Sequence, residues 1–397
     1  QAIKVVDIIV GGPLWRDKLM EVGDEIQLVR QEDGDAVDIR AMRLDDAIKL
    51  IKGPKGSMVY LTVKKVDGNI ETIPVKRDLV VLEESYARST VINRQDQKYG
   101  LIHLPKFYVD FKSYKERNAA HDVEQEVINL KEAGVGGLII DLRNNGGGSL
   151  QTVVDIAGLF IDEGPIVQVK STVSKTEVLR DGDGKTLWNG PMVILVNELS
   201  ASASEILAAA MQDYERAIVI GSEQTFGKGT VQNVVDLNRF LSNSTYGNLG
   251  ALKITTDKFY RINGGSTQLE GVKSDVITPD RYRYVDIGER DEDNPMRWDR
   301  ISPLVYTKWN GYLNYDDVIK HSQDRVNDHP IFNLVDQDAK WIEQRQNDNT
   351  IALNYQEYVS KIESDRAYAD QFDAVEEYDN NLDFTISPAD QKRISED

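Results

Sequence analysis

Along residues 1–80, apolar and polar positions alternate in short runs, which is the pattern of strands with one buried face. Such runs lie on either side of the turn at Gly23 and recur at residues 59–65. Between them, residues 43–52 carry apolar side chains at helical spacing, and a Gly-Pro pair ends this helix. The pattern predicts a small β-rich module with one helix.

From residue 81 to residue 286, continuous apolar runs alternate with helical periods. Residues 135–141 and 192–196 have the length of buried strands, and each run is followed by a polar turn and a helical period. Further strand-like runs occupy residues 217–221 and 230–237. Strand, turn and helix in repeated succession predict a layered α/β core.

Beyond this core the chain becomes polar. Residues 288–295 consist of charged and polar residues with one glycine and one proline, a composition typical of a linker. Residues 300–397 are strongly charged, and their sparse apolar anchors, such as Trp309 and Trp341, predict a mostly helical region. We therefore expect three domains, at residues 1–80, 81–286 and 287–397.

Composition excludes several classes of protein. The net charge of −19 over 397 residues disfavours nucleic-acid binding, because phosphates require basic patches. The chain has no cysteine, which excludes disulfides and thiolate metal sites, and its four histidines lack metal-ligand spacing. No apolar run reaches the roughly 18 residues of a transmembrane helix. We therefore expect no cofactor, no metal, no nucleic-acid partner and no transmembrane segment.

Three serines follow the apolar run at residues 192–196 and precede an alanine-rich helix: Ser200, Ser202 and Ser204. Serine is a preferred N-cap residue, so helix capping alone explains the cluster, with Ser204 as the expected cap. A serine at this point has a second use, because the free N–H groups of a helix N-terminus stabilise an oxyanion. The residues alone leave both interpretations open.

Lys228 lies between two glycines after this helix. A phosphate-binding P-loop is excluded, since Ser222 stands where that motif needs glycine and Gly229 where it needs serine or threonine. A neutral lysine can take the proton of an attacking serine, and desolvation favours the neutral amine. If the chain after Lys228 is extended, Gln232 shares its face and can accept a hydrogen bond from the amine. The pattern predicts a serine–lysine hydrolytic site.

A second turn, at residues 144–148, ends in three consecutive glycines. A tight strand-to-helix connection alone explains glycine here. Three glycines also let a peptide backbone approach closely and leave N–H groups facing a substrate carbonyl. We therefore expect the N–H groups of Gly147 and Ala203 to form an oxyanion hole.

Three segments resemble, in the same order, those of the carboxyl-terminal processing peptidases (peptidase family S41). They are Asp141-Leu-Arg-Asn-Asn-Gly-Gly-Gly148, Ser200-Ala-Ser-Ala-Ser-Glu-Ile206 and Phe226-Gly-Lys-Gly-Thr-Val-Gln232. The resemblance extends over nearly the whole chain. It implies an α/β (α+β) fold with a ClpP/crotonase-like serine protease core, a partial PDZ domain, and the mostly helical C-terminal domain of the family's larger, tail-specific branch.

The resemblance also assigns roles. It implies Ser202 as the nucleophile, Lys228 as the general base and Gln232 as the support of the base, with oxyanion donors on the glycine turn and at Ala203. On the PDZ helix, Leu44 and Ile48 would line the peptide groove. The carboxylate-binding loop of that groove, and the strand that pairs with the peptide, would precede Gln1.

The implied activity is that of a serine endopeptidase with a Ser-Lys dyad, which cleaves proteins with unstructured, apolar C-terminal tails without ATP or metal. The implied location is the periplasm, free or peripheral at the inner membrane, and a lipoprotein adaptor stays open as a further partner. No signal peptide is visible, and because the chain opens within a strand-like pattern, we expect any targeting segment to have been removed. Two alternatives remain: a PDZ-bearing scaffold whose core no longer cleaves, and an enzyme of the same fold that acts on an acyl thioester.

Overall fold

The computed structural model describes residues 3–6, 8, 12–78, 85–110, 113–171, 175–240, 247, 249–312, 314–378 and 382–386. These residues fall into two compact units, one up to Ser85 and the other from Tyr86 onward. The first predicted boundary, at residue 80, lies outside the described residues, and the boundary at residue 286 stays a prediction.

The first unit is a small antiparallel sheet with its own apolar core. Its sheet order is β1-β2-β4-β5, with β3 beside β2. The alternating residues of β2 and β4 place Val29, Val59 and Leu61 inside this core. The elements are β1 (Ile3–Lys4), α1 (Pro13–Arg16), β2 (Glu25–Gln31), β3 (Val37–Asp38), α2 (Leu44–Ile51), β4 (Met58–Lys64) and β5 (Ile70–Lys76).

The second unit contains a seven-stranded sheet in the order β15-β12-β11-β8-β7-β6-β16. Strands β7, β8, β11, β12 and β15 are mutually parallel, and three of the predicted apolar runs are confirmed as β8, β11 and β12. Such strands are covered on both faces, which explains their unbroken apolar sequence. The elements are β6 (Arg88–Arg94), β7 (Gln97–His103), α3 (Ala119–Glu132), β8 (Gly137–Asp141), α4 (Leu150–Gly158), β11 (Met192–Val196), α5 (Ala203–Asp213), β12 (Ile218–Gly221) and β15 (Val276–Ile277).

A smaller antiparallel sheet, in the order β10-β9-β14-β13, completes the core of this unit. Helix α5 contacts β12 of the larger sheet and β9 of the smaller one, and nearly all of its residues are buried. Its alanines allow this close packing on several sides, so its N-terminus is held firmly in place. The strands are β9 (Gly164–Ser171), β10 (Glu177–Asp181), β13 (Thr230–Asp236) and β14 (Ala251–Tyr260).

After β15 the chain runs without long regular elements to residue 312, apart from a short 3-10 turn at Glu289–Asp291, and then forms helices. A final strand pairs antiparallel with β6, a pairing that the sequence did not predict. Among the described helices, none combines the length and apolar character needed to cross a bilayer. The remaining elements are α6 (Tyr315–Asp328), α7 (Pro330–Asn347), α8 (Tyr355–Ala369), α9 (Asp373–Glu376) and β16 (Asp383–Ile386).

Candidate active site

Ser202 occupies the junction between β11 and α5, where it is the N-cap of the helix. Its backbone has φ 58° and ψ −111°, a region that residues with a side chain rarely adopt. Such strain persists only where the surrounding structure imposes it, and it concentrates at functional sites. Of the three serines in the cluster, Ser202 is therefore the one whose strained backbone indicates a functional position.

The two flanking serines are structural. Ser200 Oγ accepts a hydrogen bond from the Asn197 N–H and donates one to the carbonyl of Leu142. Ser204 Oγ donates to the carbonyl of Asn145. The prediction that Ser204 caps the helix was wrong, because α5 begins at Ala203 and Ser204 already lies inside its first turn.

Glu205 is a fully buried carboxylate that joins the serine turn to the lysine loop. Its Oε2 accepts from the Ser202 N–H at 2.7 Å and from the Lys228 N–H at 3.0 Å. Its Oε1 accepts from the Gly227 N–H and from Thr225 Oγ1. Because one oxygen binds both amides, the backbone nitrogens of Ser202 and Lys228 cannot be further apart than these two distances combined.

Burial shifts the pKa of the Glu205 carboxyl. Desolvation raises the pKa of Glu205 to about 7, against hydrogen bonds from Thr225, Ser202, Gly227 and Lys228 that lower it. The sequence-based predictions gave Glu205 no role in the site. Its position three residues after Ser202, as in a capping box, was the available signal.

Lys228 is half-buried in the loop that leads into β13. Its Nζ donates a hydrogen bond of 3.3 Å to Gln232 Oε1, so the spacing argument placed these two side chains correctly. Among the described residues, no hydrogen bond joins Lys228 Nζ to Ser202 Oγ. The structure brings the two backbones together without an engaged dyad, and the catalytic roles stay predictions.

Gly147 lies against the serine turn. Its φ is +96°, and a Cβ at this position would lie 2.8 Å from both the Ala201 carbonyl oxygen and Ser202 Cβ. Its N–H donates to Asn145 Oδ1 at 2.9 Å and is therefore occupied. By contrast, within the described part of the chain no acceptor faces the N–H of Ala203. Of the two predicted oxyanion donors, one is free in this structure and the other is engaged.

Asn144 and Asn197 fasten the glycine turn to the serine turn. Asn197 Oδ1 accepts from the Asn144 N–H at 2.9 Å, and Asn197 Nδ2 donates to Asn144 Oδ1 at 2.8 Å. Next to them, Arg143 donates to both carboxylate oxygens of Asp141. Although desolvation raises the pKa of Asp141, the hydrogen bonds from Arg143 hold that pKa well below its usual range. The carboxyl edge of the sheet is thus a rigid polar network that sequence reasoning did not predict.

In the first unit, α2 turns Ala47 into the core and leaves an apolar pair outside it. The side chain of Leu44 is 59% exposed, and Ile48, one turn further on, is half-buried. Neither residue belongs to the apolar core of this unit. Their exposure is compatible with the predicted peptide groove, and their role stays a prediction.

Comparison with known proteins places these observations in a family. Residues 98–278 match peptidase family S41, and residues 282–397 match the C-terminal domain of tail specific protease. The chain is 37% identical over 371 residues to a tail-specific protease of Haemophilus influenzae, which covers 92% of this chain and 51% of the relative. It spans about half the length of the curated relatives it matches.

Two solved structures are also similar. The photosystem II D1 C-terminal processing protease is 27% identical, with a TM-score of 0.41 and coverage of 70% of this chain and 68% of that one. The PDZ domain of a carboxy-terminal protease from Vibrio cholerae, solved with a peptide, is 39% identical over 19% of this chain and 81% of that one, with a TM-score of 0.19. From the matched peptidase and C-terminal domains, the chain belongs to peptidase family S41 and carries the C-terminal domain of tail-specific proteases.

Proposed function

We propose that this chain is a serine endopeptidase that cleaves peptide bonds through an acyl-enzyme on Ser202, with Lys228 as general base and Gln232 as the partner of the base. The observation that carries the proposal is the shared carboxylate oxygen of Glu205, which accepts from the backbone N–H groups of both Ser202 and Lys228. Membership of family S41 supports peptide-bond hydrolysis as the reaction.

In the proposed mechanism, Ser202 Oγ attacks the substrate carbonyl carbon while its proton passes to the neutral amine of Lys228. The N–H of Ala203 stabilises the oxyanion, and the dipole of α5 favours negative charge at the same point. Lys228 then gives the proton to the leaving amine, the C–N bond breaks, and the acyl group stays on Ser202. A water molecule, deprotonated by Lys228, hydrolyses this ester.

The proposal requires two rearrangements from the present geometry. Lys228 Nζ, now bonded to Gln232, has to come within hydrogen-bond distance of Ser202 Oγ. Gly147 can act as the second oxyanion donor only when its N–H leaves Asn145 Oδ1. We infer that substrate binding drives both changes, because a substrate carbonyl offers Gly147 a replacement acceptor.

The proposed substrates are proteins with unstructured, apolar C-terminal tails. The exposed Leu44 and the half-buried Ile48 support an apolar ligand in the first unit, which we assign as a partial PDZ domain. The name of the Haemophilus influenzae relative, a tail-specific protease, supports the same substrate class. Cleavage without ATP, a periplasmic location and a lipoprotein adaptor belong to this proposal as well.

The test is degradation of an unfolded, apolar-tailed protein together with fluorophosphonate labelling of the chain. Ser202→Ala should abolish both signals, and Lys228→Ala should be comparably inactive, since members of a catalytic unit do not act additively. Ser364→Ala, on the exposed side of α8, serves as the control. Degradation by Ser202→Ala at the parent's rate would refute the proposal. A parent that binds the tail without cleaving it would favour the scaffold alternative.

A further inference from the structure

Residues 288–296, part of which the sequence predicted as a linker, contact both catalytic loops. The Glu289 N–H donates to the carbonyl of Phe226, two residues before Lys228, at 2.9 Å. Arg290 pairs at 3.3 Å with Glu198, a buried carboxylate in the turn before the serine cluster. The segment at the start of the C-terminal domain therefore holds the serine turn and the lysine loop at once.

Gln268 extends this connection to the residue after Lys228. It is fully buried, and its Oε1 accepts from the Gly229 N–H at 2.9 Å. Its Nε2 donates to Glu289 Oε1 at 3.0 Å and to the carbonyl of Met296 at 3.1 Å. One amide side chain thus uses both of its ends to join the lysine loop to the 288–296 segment.

The residues next to Gln268 hold the lysine loop in the same way. The Leu269 N–H donates to the carbonyl of Gly227 at 2.8 Å, and Thr267 Oγ1 donates to the carbonyl of Lys228 at 3.3 Å. Gly227 and Gly229 flank the lysine, and glycine gives a backbone little stiffness of its own. The position of Lys228 is therefore set by these external bonds.

The 288–296 segment is itself fixed. Asp291 Oδ2 accepts from the Gly288 N–H at 2.8 Å and closes the turn at Glu289–Asp291. Further along, Trp298 Nε1 donates to the carbonyl of Ser266 at 2.9 Å. A segment anchored at both ends can transmit a fixed position to the loop it contacts.

We propose that residues 288–296, acting through Gln268 and Glu289, are a positioning device that fixes the backbone of the Lys228 loop beside the Ser202 turn, so that the lysine side chain can reach Ser202. Gln268 and Glu289 are positioning residues, since neither touches the substrate or the reacting atoms. The C-terminal domain of this chain thereby takes part in activation of the nucleophile. The inference rests on the proposed function, because it presumes that Lys228 is the base.

The experiment measures the rate at which a fluorophosphonate acylates Ser202 in the full chain, as a function of pH, beside kcat, KM and Tm on an apolar-tailed substrate. Gln268→Ala should slow acylation by about 10- to 100-fold, the cost of a small misplacement of a catalytic group. KM should change little, because the bonds of Gln268 and Glu289 go to the lysine loop and not to the substrate. Arg281→Ala, which removes an ion pair with Asp338 on α7, is the control and should leave acylation unchanged.

Exchanging the donor and the acceptor between Gln268 and Glu289 distinguishes a positioning role from a loss of the folded structure. Gln268→Glu places two carboxylates face to face and should slow acylation. Adding Glu289→Gln restores a hydrogen-bond donor between the two side chains, so the double variant should recover part of the acylation rate. If Gln268 variants fail to fold, Glu289→Ala at the half-buried partner tests the same link. Unchanged acylation, no recovery in the double variant, or a rate loss that follows Tm alone would overturn the inference. A parent that is not labelled at Ser202 would instead refute the proposed function, and the inference with it.

Discussion

Glu205 shows how one buried carboxyl can organise two loops that are distant in sequence. Its four donors favour the carboxylate form, whereas complete burial favours the neutral acid. A protonated carboxyl is a much weaker acceptor at the oxygen that carries the proton. Protonation therefore weakens the bond to Ser202 and Lys228 or the bond to Thr225 and Gly227, and it loosens the geometry on which the proposed chemistry depends.

We predict that acylation of Ser202 falls as pH is lowered through about 7, the raised pKa of Glu205. The contribution of Glu205 to the free energy of unfolding changes with pH in the opposite direction. Folding disfavours its ionisation, so that contribution is complete below the ordinary value of 4.5 and is lost as pH rises towards about 7. In Glu205→Gln the step near pH 7 should disappear, and the free energy of unfolding should drop by about 1–3 kcal/mol.

Labelling rates and urea denaturation across this pH range measure both effects, with Glu177→Gln on exposed β10 as the control. A step near pH 7 that survives in Glu205→Gln would assign it to another group.

Gly147→Ala should damage both the stability of the chain and the proposed site. The new Cβ meets the Ala201 carbonyl oxygen and Ser202 Cβ at 2.8 Å, and the φ of +96° is unfavourable for alanine. We expect a loss of about 1–3 kcal/mol in stability, the usual cost of a strained backbone conformation, together with loss of labelling at Ser202. Gly146→Ala is the matched control for stability, since a Cβ there has no neighbour within 4 Å. Equal stability of the two variants would contradict the steric argument.

At the scale of elements, the buried strands could be predicted and the exact start of α5 could not. Continuous apolar runs bounded by glycine or serine turns are a strong local signal, which is why β8, β11 and β12 were located. The cap was misassigned to Ser204 because the capping-box spacing of Ser202 and Glu205 was overlooked, and the strained φ of Ser202 involves Glu205, which also binds the distant lysine loop. No local rule predicts a strained φ that tertiary contacts enforce.

The contacts of the predicted linker with the core could not be predicted for a related reason. Residues 288–295 have a linker's composition, but their contacts with the core use the backbone and the side chains of Gln268 and Glu198. A polar segment that is bonded through its own amides has the same sequence pattern as one that is solvated. Spacing pointed to Lys228 and Gln232, and the resemblance to the carboxyl-terminal processing peptidases singled out Ser202, whereas the residues that hold them came only from the structure.

Helix α2 provides a test of the proposed peptide groove. Leu44→Asp should leave the fold intact, because this side chain is 59% exposed and lies outside the core. It should weaken binding of an apolar-tailed peptide by about tenfold, the equivalent of leaving one leucine side chain solvated. Fluorescence anisotropy with a labelled peptide measures this, and Asp46→Ala on the same helix is the control. Unchanged affinity would remove Leu44 from the proposed groove.

At the scale of the whole molecule, the described residues form two separate apolar cores, one in each compact unit. The first unit is much the smaller, and a small domain buries a lower fraction of its surface and is correspondingly less stable. We predict two transitions in calorimetry, with the first unit unfolding at the lower temperature while the second keeps Ser202 reactive. Labelling at a temperature between the transitions would then proceed on a chain that no longer binds the apolar tail. A single cooperative transition, with labelling and peptide binding lost together, would mean that the two cores unfold as one.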